Sequence, residues 1–158
     1  MAEKPVMVIA VDESEHSFYA LEWTLDHFFA KSGPDHHPFS VVLVHARRIA
    51  ASVIGVSGPG SGKFITVLET DIKNEATKTV EKATEICNRK SVNEVRVEVN
   101  EGDPRDVICE VVDKYHASIL VVGSHGYGAI KRAVLGSVSD YCAHQANCSV
   151  MIVKKPRI

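Results

Sequence analysis

Short apolar runs alternate with longer amphipathic stretches along this chain. Val6–Val11, Val41–Val44, Ile119–Val122 and Val150–Val153 are continuous, rich in β-branched residues and free of charge. Strands covered by helices on both faces read this way, because neither face meets solvent. Val95-Arg96-Val97-Glu98-Val99 alternates strictly instead, which predicts a fifth strand with one poorly covered face at the margin of a sheet.

The stretches between these runs have helical periodicity. Ser14 is placed to cap a helix whose apolar stripe is Phe18, Leu21, Leu25 and Phe28. From about Thr66 to Arg89, the residues Leu68, Ile72, Ala76, Val80, Ala83 and Cys87 share a face. Asp103-Pro104 is a helix start, with Asp as the cap and Pro at the first helical position; Val107, Ile108, Val111, Val112 and Tyr115 then face inward. A last helix begins near Gly136-Ser137 and carries Val138, Tyr141 and Cys142. The order β-α-β-α-β-α-β-α-β predicts an α/β domain with a parallel sheet and right-handed crossovers. No internal repeat is visible.

The stretch from Ala50 to Lys63, with Gly55, Gly58, Gly60, Gly62 and Pro59, reads as a long flexible loop. Its Gly62-Lys63 does not make a phosphate loop: Ser57 stands where the first glycine is needed, and Phe64 where Ser or Thr must hold the metal.

Composition narrows the function classes. The chain has 158 residues, a length that suits one domain over 1–158. A net charge of −2 lacks the basic excess of a nucleic-acid binder. No apolar run reaches the ~18 residues of a membrane span. Residues 1–5 are polar and lead directly into a strand, with no secretory leader, so the expected setting is the cytoplasm. The cysteines Cys87, Cys109, Cys142 and Cys148 are widely spaced, as expected for reduced thiols, and Asn147-Cys148-Ser149 is then an accidental sequon.

The chemistry concentrates after the fourth strand, in Val122-Gly123-Ser124-His125-Gly126-Tyr127-Gly128. Glycines three apart permit a sharp turn and clear space for a ligand against the main chain. Gly136-Ser137 then opens the last helix, where unpaired amides and the helix dipole favour an anionic phosphate. On these residues alone, a tight strand-to-helix turn without a ligand is an equal reading.

Gly123-x2-Gly126-x9-Gly136-Ser137 resembles the nucleotide-binding signature G-x2-G-x9-G-[ST] of the universal stress protein family. The resemblance extends along the chain. Val8-Ile9-Ala10-Val11-Asp12 with Ser14, then Leu43-Val44-His45, Gly102-Asp103-Pro104 and Ser149-Val150-Met151-Ile152-Val153 are similar to the family's elements, and Gly-Ser-His-Gly-Tyr-Gly is similar to plant members. It implies a Rossmann-like open sheet of five parallel strands, order 3-2-1-4-5, with helices on both faces. That order reverses between strands 1 and 4, where ligands of such sheets bind.

The resemblance also implies roles. Ala10, Val11 and Asp12 would line the base and ribose side, with Asp12 accepting hydrogen bonds from the ligand. Ala46 would offer backbone groups to the adenine edge, and Val122 and Gly123 would pack near the ribose. The amides of Ser124, His125, Gly126, Tyr127 and Gly128, with Gly136, Ser137 and Val138, would hold the phosphates of ATP or AMP, with or without Mg. Ala10 departs from members that carry proline there.

The implied function is a stress-responsive regulatory module acting through nucleotide occupancy and homodimerisation, without nucleic acid or membrane as partner. A slow ATP hydrolase and a holdase-like structural dimer with an incidental ligand are the alternatives. Dimerisation through Val150–Val153 would cover an apolar edge strand. Among the remaining candidates, Ser124, His125 and Asp12 do not form a recognisable triad, since adjacent turn residues rarely face one another. Cys142, His144 and Cys148 lack the second ligand pair of a zinc site. His36-His37-Pro38 reads as a solvated loop, Lys131-Arg132 either as phosphate contacts or as an exposed pair, and Trp23 and Tyr141 as packing residues.

Overall fold

The computed structural model describes residues 3–50, 61–125 and 135–156. Its elements run β1 (Val6–Ala10), α1 (Glu15–Phe28), a 3₁₀ turn (Pro34–His36), β2 (Ser40–Arg47), α2 (Ser61–Arg89), β3 (Val95–Glu101), α3 (Pro104–Lys114), β4 (Ile119–Gly123), α4 (Ser137–Gln145) and β5 (Ser149–Val153). The strands form one five-stranded sheet of order β3-β2-β1-β4-β5. Every pairing is parallel, with Ile9 opposite Leu43 and Val121, and Val121 opposite Met151.

The apolar runs are buried on both faces, as their lack of alternation predicts. On one face Met7, Ile9 and Leu43 pack against Leu21 and Leu25 of α1 and Ala83 and Ile86 of α2. On the other, Val8, Val42 and Val44 meet Val107 and Val111 of α3 and Cys142 of α4. Each such fully buried aliphatic side chain contributes ~1.5–3 kcal/mol. β3 is covered even less than its alternation implies: Val97 and Val99, on its apolar face, are each 40% exposed.

The caps follow the sequence signals. Ser14 Oγ accepts from the Ser17 amide at 3.2 Å, and Asp103 Oδ1 accepts from the Arg105 amide at 2.9 Å. Gly102, before α3, has φ 147°, a conformation that suits glycine alone.

Three local expectations need adjusting. α2 begins at Ser61, earlier than Thr66, and so takes in the end of the expected loop; Gly62 falls in its first turn, whose amides need no intrahelical partner. The remainder of that expected loop, 51–60, lies outside the described residues. At the end of α1 the fully buried residue is Phe29 at the C-cap, 1% exposed, while Phe28 packs against the same core half-buried. On α2, Thr79 takes the buried position expected for Val80.

All four cysteines are free thiols. Burial pushes the Cys87 and Cys142 thiols up to about 12, which leaves both protonated and unreactive at neutral pH. Among the described residues no helix is long and apolar enough to cross a membrane.

Candidate functional site

A cavity of about 580 Å³ opens beyond the C-terminal ends of β1, β2 and β4, at the reversal in strand order. Ala10, Val11 and Asp12 form its floor where β1 ends. His45 and Ala46 enter from β2, Val122, Gly123 and His125 from β4 and the residues after it, and Gly136, Ser137 and Val138 from the start of α4. The sequence-distant candidates therefore converge on one space. Gly126, Tyr127, Gly128 and the pair Lys131-Arg132 lie outside the described residues.

The floor is tightly built. The Val11 amide donates to Val44 O at 2.9 Å, and the Asp12 amide to Ser17 Oγ at 2.8 Å. Asp12 Oδ1 accepts from the Ser14 amide at 2.8 Å and from the Ser14 hydroxyl at 2.5 Å. This carboxylate thus sets the turn from β1 into α1 and is held in place by it. Ser17, 5% exposed, also lines the cavity.

Gly123 is required for a reason the sequence conceals. A Cβ there would stand 2.8 Å from His16 O and 2.9 Å from His16 C, so β4 and the first turn of α1 touch backbone to backbone. The helix, and not only a ligand, demands this glycine.

Two expected phosphate donors are already engaged. The Ser124 amide donates to Val153 O at 3.1 Å, and Ser124 does not line the cavity. The Gly136 amide donates to Ser124 O at 2.6 Å, and Ser139 Oγ reaches the same carbonyl at 3.1 Å. These bonds tie the start of α4 to the end of β4. The amides of Ser137 and Val138 differ: they sit in the first turn of α4, whose N-cap Gly136 supplies no side-chain acceptor. Amides at that position have no intrahelical acceptor and suit an anion.

Much of the remaining wall is apolar, with Glu13 and Asp140 as acidic members, and no local sequence signal marks it. Ile72 and Ala76 come from α2, Ile108 and Pro104 from the start of α3, and Leu135 precedes α4. The helical stripes of α2 and α3 marked Ile72, Ala76 and Ile108 as core, but nothing local told which end of each stripe faces a cavity. Charge rims the opening. Glu75 of α2 pairs with Arg48 at 2.7 Å, and Arg47 with Glu101 at 3.1 Å. Among the described residues no group of three potential metal ligands comes together. A floor of fixed turns, largely apolar walls and first-turn amides without an intrahelical acceptor at one end suit a flat ring carrying an anion.

Comparison with known proteins fits this geometry. The profile of the Universal stress protein family matches residues 5–154. Universal stress protein YxiE of Bacillus subtilis is 33% identical over 94% of this chain and 97% of its own. Universal stress protein PHOS32 of Arabidopsis thaliana is 28% identical over 94% of this chain, which spans only 64% of that relative's length. A solved universal stress protein of Arabidopsis thaliana with AMP bound superposes with a TM-score of 0.67 at 25% identity, covering 96% of this chain and 92% of that one. Two solved relatives share the fold: one from Archaeoglobus fulgidus in complex with dAMP (TM-score 0.61, 21% identity, 98% and 100% coverage), and one in complex with cAMP (0.65, 19%, 97% and 98%).

Proposed function

This chain belongs to the universal stress protein family, and on that premise we propose that it binds an adenine nucleotide, AMP or ATP, in the cavity above β1, β2 and β4. The observation that carries the reading is the convergence of Ala10–Asp12, Ala46, Val122–Gly123 and Ser137–Val138 on that one space. The AMP-bound Arabidopsis relative supports it.

The ligand lies across the strand ends. Its phosphates sit at the first turn of α4, where Ser137 adds a hydroxyl to the amides. The ribose lies over Asp12 and Gly123, and the base extends toward Ala46 on β2. Neighbouring strands are about 4.8 Å apart, so β2 stands roughly 10 Å from β4, the span from a phosphate to its base. Mg accompanies ATP when the longer phosphate chain is bound.

The protein acts as a cytoplasmic regulatory module whose occupancy biases its conformation and its homodimer, formed by antiparallel pairing of β5 with its copy. Heat release of ligand from the purified protein, followed by mass spectrometry and calorimetry with AMP and ATP, tests this. Saturable binding of either nucleotide is expected, and a folded protein that binds neither refutes it. Stoichiometric turnover of ATP to ADP and phosphate would replace the binding module with a slow hydrolase.

A further inference from the structure

Within the nucleotide reading above, on which this inference rests, we propose that His45 is a specificity-determining residue: its Nε2 accepts a hydrogen bond from the exocyclic amino group of the bound base.

β2 carries Val41, Leu43 and His45 on one face of the sheet, and the first two belong to its apolar core. His45 is the polar exception, 6% exposed and at the cavity. Its Nδ1 lies 2.8 Å from Val11 O, across the strand boundary. A carbonyl oxygen only accepts, so Nδ1 carries the proton and donates. In a neutral imidazole the other nitrogen is then an acceptor. The tautomer is therefore set by the backbone of β1, which is itself held by the Val11 amide on Val44 O at 2.9 Å.

Nε2 has no protein partner among the described residues. It is also not one of the sealed, unpartnered ring nitrogens, which are the Nδ1 atoms of His16, His37 and His125. Its open side is thus the cavity that the ring lines. Among the described residues of the wall, Ile72 and Ala76 of α2 are apolar, and the guanidinium groups of Arg48 and Arg47 are drawn to Glu75 at 2.7 Å and Glu101 at 3.1 Å. An acceptor in apolar surroundings asks for a donor on the ligand. His45 stands at the β2 end of the cavity, far from the α4 amides, so the donor belongs to the base and not to the phosphate end. AMP carries such a donor at position 6; purine riboside 5′-monophosphate, with hydrogen there, does not.

Calorimetry on the full chain with these two ligands tests the assignment. The wild type should favour AMP by roughly 5- to 100-fold, the range for losing one buried hydrogen bond. His45→Asn keeps an amide N–H where Nδ1 stands, preserving the bond to Val11 O, but removes the acceptor; its preference should fall toward unity. Equal affinity of the wild type for both ligands, or an unchanged preference in His45→Asn, overturns the role of His45 while the nucleotide site stands. Failure of the wild type to bind either ligand overturns both. Should His45→Asn not fold, ¹⁵N spectroscopy of the wild-type imidazole decides. Nε2 must be unprotonated in the free protein and shift on adding AMP but not on adding the purine ribotide; a protonated Nε2, or the same shift with both ligands, overturns the proposal.

Discussion

Gly123→Ala isolates the contact between β4 and α1. The added methyl would stand 2.8 Å from His16 O, 2.9 Å from His16 C and 3.2 Å from Ser17 N. All three are backbone atoms, so no side chain can swing aside; the first turn of α1 must move or β4 must bend. Overpacking of this kind costs about 1–3 kcal/mol. For a chain of this size, 1 kcal/mol corresponds to ~2–4 °C in Tm, giving a fall of roughly 2–12 °C. The displaced turn includes Ser17, whose Oγ accepts from the Asp12 amide, so the cavity floor should loosen with it. Urea and thermal unfolding measure the loss. Gly33→Ala is the control: nothing lies within 4 Å of its Cβ, and its φ of −65° suits alanine, so it should be neutral or stabilising by up to ~1 kcal/mol. Equal stability of Gly123→Ala and wild type would refute the close approach of helix and strand.

Asp12→Ala should weaken AMP binding by about 1–3 kcal/mol through loss of a hydrogen bond to a charged acceptor. It should also lower stability, because Oδ1 holds Ser14; calorimetry and urea unfolding read the two losses, and unchanged affinity would remove Asp12 from the site. Hydrogen bonds from Lys114 and Tyr115 hold the Glu98 carboxyl below its ordinary range. Its folded value is depressed, so it adds stability above the unfolded carboxyl range, about 4.3, and loses it as pH falls through the lower folded value; Glu98→Gln should flatten that acid-side slope, and an identical slope would refute the linkage. Proline at Met151 or Ile152 should dissociate the proposed homodimer, and light scattering showing a native monomer at micromolar concentration would defeat the pairing of β5.

The sheet was legible because parallel strands covered on both faces leave an unbroken apolar run, and the sheet order followed from the family resemblance. What escaped depended on partners distant in sequence. In the sequence Gly123 suggests cleared space for a ligand, yet its missing side chain is demanded by His16 on another element. The family resemblance implies a phosphate contact for the Ser124 amide, but β5 takes it through Val153 O. His45 marked only a strand end, since its orientation comes from a carbonyl on β1. Phe29 and Thr79 were missed for simpler reasons: a helical stripe does not extend past its cap, and a polar residue can occupy a buried helix position.

The most direct test of the nucleotide site is a titration of AMP into the folded protein, followed residue by residue through backbone amide resonances. The account predicts saturable shifts concentrated at Ala10–Asp12, His45–Ala46, Val122–Gly123 and Ser137–Val138, with β3 unaffected. Saturation without shifts at these strand ends, or no saturable shift at all, would contradict it.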